Sequence, residues 1–403
     1  MSERDASRAT PSGDELARQA RTARWSVTAV FVVHALVFAA WTAHIPEIKM
    51  RLELTDAQLG VALLGAPVGS VAAMLATGWL LPRLGSRLMV QLTLAGYCLA
   101  AATVGLASSL PWLFATLLLW GMFQGGLDVA MNTQAVTVER VLSRPIMSGL
   151  HGGWSIGGFL GAGVGAGLVG LGITLGPQQL VLGPLTGLLA AVWSRRLLPD
   201  RVTFGATPIG NPTDHRGAGL WQPVVFVLGL IAFASMLCEG AAADWSAVYL
   251  RDTLAAVPAV AGLGYAAFSA AMLTVRLAGN TLLRRFRPHN LLSNLAAVAT
   301  LGFGSALLLN HPDAALIGFL ALGIGLGCVV PTVNSAAGNI LQLNHGTAIA
   351  TVSAFGWLGF VVGPPLIGHL AAATSMPIAL LVLPTLTALI SISTRTTRAL
   401  RRL

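Results

Sequence analysis

Long apolar runs fill most of the chain, and its polar and charged residues gather in short connections between them. Each run is about 20 residues or longer, the length that an α-helix needs to cross the hydrocarbon core of a bilayer. Backbone polar groups find no water in lipid, so continuous runs of this kind predict helices rather than open strands. The predicted spans are 25–45, 58–82, 87–108, 112–135, 146–172, 177–198, 221–249, 258–283, 289–309, 313–337, 346–372 and 376–394.

The second half of the chain repeats the glycine and asparagine pattern of the first half, 202 positions later. The matched pairs are Gly121 and Gly323, Gly125 and Gly327, Asn132 and Asn334, Gly157 and Gly359, and Gly161 and Gly363. A duplicated apolar half is typical of secondary transporters. The pattern predicts an all-α membrane protein of twelve transmembrane helices in two pseudo-symmetric six-helix bundles, 25–198 and 221–394. A linker, 199–220, joins the bundles, and tails 1–24 and 395–403 flank them.

Composition and charge agree with a membrane protein. Charged residues make up 10% of the chain, whereas soluble proteins carry about 25%. Most of the 24 Lys and Arg residues lie in the tails and in alternate connections, and only Lys49, Arg51 and Arg251 lie in the opposite set. Positive residues favour the cytoplasmic side, so we expect both termini there, in a multi-pass protein of the bacterial cytoplasmic membrane. Topology and contact with the lipid bilayer account for the net charge of +9, so no nucleic acid is expected as a partner.

Enzyme and cofactor motifs are not found in the sequence. The three cysteines all fall inside predicted spans, and no spacing suggests metal ligands or a bound cofactor. A phosphate-binding Walker loop is missing, so ATP is not expected to drive the protein.

Several segments carry a resemblance to a known family. Residues 78–87, Gly-Trp-Leu-Leu-Pro-Arg-Leu-Gly-Ser-Arg, resemble the signature that follows the second helix of the major facilitator superfamily, with Pro82 in place of its aspartate. A weaker copy begins at Asn280. Segments 41–60, 126–140, 151–161 and 239–252 are similar to the YbjJ-like bacterial inner-membrane branch, near the fucose-permease-type sugar transporters.

That resemblance implies a monomeric transporter that works by alternating access. Its cavity would be lined by the first, fourth, seventh and tenth helices, and small-molecule solutes and protons would be its partners. The missing aspartate removes the usual charge lock between helix ends, so gating would depend on other contacts. The candidate gating residues are Arg83, Arg87, Arg276, Arg284 and Arg285. Arg276 either snorkels to the cytoplasmic surface or pairs with an acid of the other half as a gate.

The polar residues of the fourth span are the first candidates for chemistry, because ionisable groups inside lipid are costly and often functional. Gln124, Asp128 and Asn132 are spaced by four and therefore share one helix face. Asp128 either carries a proton or solute, or braces the bundle, for example through His151 of the next span.

The seventh span carries the second pair of acids. Glu239 and Asp244 are five residues apart, about 140° around a helix, so we expect them to point in different directions. Glu239 is the deeper of the two and the better candidate for proton or solute, while Asp244 would cap the outer mouth or bond a neighbouring helix.

The remaining candidates are an intramembrane histidine, an asparagine and several tryptophans. Each has a plain alternative: a hydrogen bond to a neighbour for the polar residues, and interfacial anchoring for the tryptophans. They are His34, Trp41, Trp154, Trp245, Asn334 and Trp357. The resulting hypothesis is proton-coupled uptake of a sugar or similar small polar metabolite. The rival hypothesis is proton-driven efflux of a drug-like or cationic compound.

Overall fold

The fold was analysed in a computed structural model, which describes residues 13–144, 146–199, 223–338, 340, 345–397 and 400. Nearly all of the predicted linker, much of both predicted tails and the side chain of Asn280 lie outside the described residues. Within them, all regular structure is helical, and twelve spans are long and apolar enough to cross a membrane. The predicted all-α, twelve-span class is therefore confirmed.

Most spans are single helices, and four consist of two consecutive helical segments. In chain order they are Gly13–Thr42, Asp56–Leu63 with Gly65–Leu84, Ser86–Val104, Leu110–Leu142, Met147–Gly170, Leu175–Ser194, Pro223–Val248 with the π-helical turn Tyr249–Thr253, Pro258–Arg285, Pro288–Leu309, Pro312–Leu326 with Val329–Gly338, His345–Ala373, and Met376–Leu380 with Val382–Thr396. A short helix, Ile45–Arg51, lies between the first and second spans.

Local sequence explains where several helices begin. Thr55 and Gln58 form a capping box at the start of the second span, each side chain bonded to the other residue's backbone N–H. Ser109 caps the fourth span, and Pro258 and Pro288 occupy first-turn positions that need no N–H. The first helix starts well before residue 25, because its arginine-rich polar segment continues the helical backbone.

The 202-residue sequence repeat corresponds to a repeat of the packing contacts between helices within each half. Gly121 of the fourth span lies against the backbone of Ala66 in the second span. Gly323 of the tenth span lies in the same way against Phe268 of the eighth, with both residues displaced by 202. A Cβ at either glycine would collide with a backbone carbonyl, so these positions need glycine for the close approach of two helices.

The contacts between the two halves are also related by the 202-residue repeat. Gly60 of the second span lies against Gly368 of the eleventh, and Gly262 of the eighth lies against Ala166 of the fifth. We call the end of the bundle where these contacts lie the Lys49 face, after the residue between the first two spans. The opposite end, where the second span meets the third, is the Arg83 face.

Candidate functional site

A cavity of about 240 Å³ lies between the two halves. Eight spans line it: the first, second, fourth, fifth, seventh, eighth, tenth and eleventh. It brings together many of the predicted site residues, namely His34, Trp41, Gln124, Asp128, His151, Trp154, Glu239, Asp244, Arg276 and Trp357. Asn132, Trp245, Asn334, Arg83, Arg87, Arg284 and Arg285 are not among its lining residues.

The acid of the first half is bonded within its own helix. Asn132 donates from Nδ2 to the Asp128 carbonyl oxygen at 2.8 Å and to the carboxylate Oδ1 at 3.2 Å. The shared face that the spacing predicts is thus used for an internal contact, while Asp128 itself borders the cavity. His151 instead packs edge-on against Phe31, with the ring centroids 5.5 Å apart.

The acids of the second half both face the cavity. Glu239 and Asp244 line it together, although they are separated by a large angle around the seventh helix. The expectation of different directions assumed a narrow site, whereas this cavity is bordered by eight spans and curves around the helix.

Arg276 connects the two halves inside the cavity. Its Nη2 lies 3.9 Å from Glu239 Oε2, and its Nη1 donates to Ser155 Oγ of the fifth span at 3.0 Å. The side chains of Arg276 and Glu239 are only 18% and 16% exposed. A guanidinium at this depth therefore contacts an acid of its own half and a hydroxyl of the other.

His34 is enclosed by aromatic rings. It is 1% exposed, and it lies edge-on to Tyr97 and Trp154 at 4.8 and 4.6 Å between ring centroids. The Tyr97 hydroxyl donates to the His34 carbonyl oxygen at 3.1 Å, whereas neither ring nitrogen of His34 has a hydrogen-bond partner among the described residues. Trp120 stacks on Tyr97 at 5.4 Å and forms the next part of this wall.

Sequence reasoning missed several aromatic residues of the cavity wall, among them Trp120 and Tyr265. The signal was present for Trp120, which lies one turn before Gln124 on the face that also carries Asp128. Tyr265 precedes Arg276 by about three helical turns and shares its face. Helical spacing from the polar candidates would have found both residues.

An ion network closes the Lys49 face. Lys49 Nζ lies 2.6 Å from Asp56 Oδ1 and 2.6 Å from Oδ2 of Asp252, which belongs to the other half. Burial disfavours the charge on Lys49, but hydrogen bonds and charges from Asp252 and Asp56 outweigh it and raise the pKa of Lys49 above its usual value. Lys49 is therefore charged at neutral pH and holds the halves together at this end.

The packing between the halves becomes looser toward the Arg83 face. Near the Lys49 face, a Cβ at Gly170 would lie 2.9 Å from the Ala259 side chain, between the fifth and eighth spans. Toward the other end of the same two spans, a Cβ at Gly152 would lie 3.8 Å from Leu277. His151 is exposed at this looser end. The cavity is thus closed at the Lys49 face and opens toward the Arg83 face.

The arginines of the Arg83 face make local contacts. Arg83 lies over the Trp79 ring, 3.8 Å from its centroid, and donates to the Trp79 carbonyl oxygen at 2.7 Å. Arg87 donates to the Arg195 carbonyl oxygen at 2.5 Å, within the first half. Arg284 and Arg285 are exposed at the end of the eighth span.

Sequence relatives are bacterial proteins, two of which are named as transporters and one as a membrane protein. The chain is 34% identical over 356 residues to an uncharacterized MFS-type transporter of Yersinia pestis, covering 88% of this chain and 90% of the relative. It is 32% identical over 370 residues to an uncharacterized transporter of Sinorhizobium fredii, covering 91% and 96%. It is also 31% identical over 365 residues to the membrane protein MosC of Rhizobium meliloti, covering 88% and 86%.

Solved structures share the fold at low identity. The nucleoside transporter NupG superposes with a TM-score of 0.71 at 11% identity, covering 93% of this chain and 98% of that one. A bacterial homologue of the human lysosomal transporter Spinster, inward-facing and occupied, gives a TM-score of 0.66 at 16% identity, covering 94% and 95%.

The family model described as Major Facilitator Superfamily matches residues 27–345. That match covers most of both halves, and it agrees with the twelve helices, the relatives and the solved structures. The protein is a multi-pass membrane transporter of small-molecule solutes rather than an enzyme, and this chain belongs to the major facilitator superfamily.

Proposed function

We propose that this transporter couples proton movement to the uptake of a sugar or similar small polar metabolite across the inner membrane, with both termini cytoplasmic. One observation carries the proposal: carboxylates from both halves, Asp128, Glu239 and Asp244, border a single cavity between those halves. Ionisable groups at membrane depth are costly and mark proton or solute pathways. A site shared by two halves that rock against each other is the arrangement that alternating access requires.

Glu239 offers the most direct link between a proton and the movement of the halves. When ionised, it attracts Arg276, which also bonds Ser155 of the opposite half. A proton on Glu239 removes that attraction and leaves the guanidinium to its partner in the other half. Protonation thus changes the balance of a contact that crosses the interface, which is how proton binding would bias the equilibrium between two conformations.

The size and walls of the cavity favour a small polar solute. Its volume of about 240 Å³ lies below the roughly 300–1,000 Å³ of pockets for drug-sized ligands. Gln124 and the carboxylates supply hydrogen-bonding groups, and Trp41, Trp154 and Trp357 supply flat apolar faces. The similarity to the YbjJ-like branch near sugar transporters is an interpretation that points the same way.

Efflux of a cationic compound is the second candidate. The observation in its favour is charge: three carboxylates border the cavity, and Arg276 is the one Lys or Arg that borders it among the described residues. Aromatic faces also attract cations. The two candidates differ in solute charge and in the direction of the proton gradient that drives them.

The test is electrogenic transport in proteoliposomes containing the full chain. We expect neutral sugars to evoke a current that depends on an inward proton gradient, and we expect Glu239→Gln and Asp128→Asn to abolish it. The matched control is Asp313→Asn, which makes the same change on a side chain that is 82% exposed at the start of the tenth span. This variant should transport like the unmodified protein.

Other outcomes would redirect or remove the proposal. Currents evoked only by lipophilic cations, under an exchange gradient, would favour efflux. Sugar transport that survives in both carboxylate variants would remove the assigned proton sites. No transport of neutral sugars, sugar acids or lipophilic cations by folded protein would remove the proposed solute class.

A further inference from the structure

His44 lies outside the central cavity and is completely buried. It sits between the first span and the short helix Ile45–Arg51, on the Lys49 face, with 0% exposure. Its Nδ1 lies 2.8 Å from Glu47 Oε2, and its Nε2 lies 2.7 Å from Gln178 Oε1 of the sixth span. Both ring nitrogens therefore face oxygen atoms.

The orientation of the Gln178 amide is fixed by a third contact. Gln178 Nε2 donates to the Ala40 carbonyl oxygen at 2.9 Å, so its Oε1 is the atom that faces His44. An amide oxygen can only accept, and His44 Nε2 must therefore carry a hydrogen. A neutral imidazole would then present the Nδ1 lone pair to the Glu47 carboxylate, which also only accepts. The 2.8 Å contact needs one further proton, and with that proton on the imidazole it becomes a charge-assisted hydrogen bond to the carboxylate.

We propose that His44 and Glu47 form a proton-binding site on the Lys49 face, separate from the central cavity, and that the bound proton holds the short helix where Lys49 meets Asp252. The ligand is a proton shared between an imidazole and a carboxylate. Loss of the proton places two lone pairs against each other at Nδ1 and Oε2 and pushes the start of the helix away from the sixth span. Lys49 is two residues after Glu47 in this helix, so its position depends on the contact.

The surroundings give the proton a route to solvent. His44 is closed off, but the Glu47 side chain is 23% exposed and borders a second cavity of about 210 Å³ on this face. Arg251 and Asp252 of the seventh span border the same cavity. The other charged groups nearby are Lys49 and Asp56, which pair with each other, and the sixth span presents the neutral Gln178. The proton exchanges through Glu47, on the side that is closed to the central cavity.

The direct test is nitrogen NMR of ¹⁵N-histidine in the full chain, reconstituted in lipid nanodiscs. His44 is identified by its through-space contact with the labelled Gln178 side chain. We expect both His44 ring nitrogens to be protonated near pH 7. In Glu47→Gln, His44 should keep only the Nε2 hydrogen. Glu53→Gln, the same change at an exposed position after this helix, should leave His44 unaltered.

Two results would overturn the proton site. One is a His44 ring with a single protonated nitrogen near pH 7 in the unmodified chain. The other is a His44 that stays doubly protonated in Glu47→Gln, because the carboxylate would then play no part. Neither result depends on transport. The proton site can therefore be refuted while the proposed function stands, and the proposed function can be refuted while the proton site stands.

The effect on the Lys49 face rests on the alternating access of the proposed function and has its own test. Spin labels at Ser108→Cys and Thr374→Cys lie on exposed positions of opposite halves, while the native cysteines are buried. Raising the pH until His44 loses its proton should populate a longer distance between the labels. Glu47→Gln should keep the shorter distance at every pH, because its amide can donate to the bare Nδ1 of a neutral imidazole. Lys49 stays charged in this range because Asp252 and Asp56 raise its pKa. A label distance that does not change when His44 loses its proton would overturn the link to the Lys49 face.

Discussion

Lys49 and Arg51 are two residues apart on one short helix, yet they stabilise different parts of the molecule. Lys49 reaches Asp252 in the other half, whereas Arg51 donates to the carbonyl oxygens of Gly105 and Ala107, at 3.1 and 3.0 Å, within its own half. Charge alone does not distinguish these residues. Their contacts do, and this makes them a matched pair for experiment.

Lys49→Gln should favour the conformation that is open at the Lys49 face. The pair with Asp252 crosses between the halves, and ion pairs near a protein surface contribute about 0.2–1 kcal/mol, so its loss should change the ratio of conformations by up to roughly fivefold. Single-molecule fluorescence transfer between dyes at Ser108→Cys and Thr374→Cys measures that ratio. Arg51→Gln removes an equal charge without touching the interface, and an equal shift in this variant would mean that Lys49 acts through net charge only.

At the level of residues, sequence reasoning finds candidates more readily than their neighbours. Asp128 and Asn132 stand out because polar groups are rare in lipid, but the rotamer that turns Asn132 back onto Asp128 depends on packing. Trp41 and Trp245 occupy similar places in the repeat. Trp41 borders the cavity, whereas Trp245 is fully buried and packs near Gly368 of the eleventh span. The repeat predicts that the two tryptophans have equivalent backbone positions. It does not predict which side chains surround each indole ring.

The second span illustrates how one helix serves different purposes along its length. A Cβ at Gly60, near the Lys49 face, would lie 2.5 Å from the Pro364 carbonyl oxygen of the eleventh span. A Cβ at Gly78, near the other end, would have nothing within 4 Å. The first glycine permits close contact between the halves, and the second does not contribute to it.

Gly60→Ala should prevent full closure of the Lys49 face. The methyl group would meet a backbone atom that cannot turn aside, and overpacking of this kind costs about 1–3 kcal/mol. We expect slower transport and a larger fraction of molecules with a solvent-accessible Lys49 face, measured by hydrogen–deuterium exchange of the segment Ile45–Arg51. Gly78→Ala is the control on the same span, and equal exchange in both variants would show that the contact does not limit closure.

At the level of elements, sequence patterns predict spans well and their ends less well. Hydrophobic length gives twelve spans because lipid imposes a minimum on each one. The first helix extends back to Gly13 because a helix can continue into water, where apolar periodicity no longer marks it. The π-helical turn Tyr249–Thr253 likewise extends the seventh span beyond its predicted end at 249, because Arg251 and Asp252 interrupt the apolar run while the backbone stays helical.

The whole molecule is closed at one end and open at the other, which gives a prediction for labelling. A thiol at His151→Cys should react with a membrane-impermeant maleimide from the Arg83 face, because this residue is exposed and borders the cavity. With cytoplasmic termini, the reaction should occur in inside-out vesicles and be much slower in right-side-out vesicles. Ser108→Cys should show the opposite preference. Equal labelling of His151→Cys from both sides would contradict closure at the Lys49 face.

At the scale of the whole molecule, the sequence predicts the family fold, but it does not predict which end of the cavity is closed. The glycine repeat carries the pseudo-symmetry, because those glycines are the contact points between helices. The ion network was overlooked because Asp252 lies 203 residues after Lys49, whereas the repeat interval of 202 pairs Lys49 with Arg251. Equivalent residues of two halves related by an axis along the membrane normal meet wherever they lie near that axis. The repeat therefore predicts that this part of each half lies near the other, and it does not predict which residue Lys49 contacts.

The pairing of Lys49 with Asp252 has a consequence for the origin of the two halves. The repeat interval of 202 makes Arg251 the equivalent of Lys49, and Met50 the equivalent of Asp252, so only one of the two copies carries the acid that this attraction needs. In two identical halves the same pair would form twice or not at all. A symmetric ancestor assembled from two equal subunits would therefore have held two such latches or none, and divergence after duplication left one.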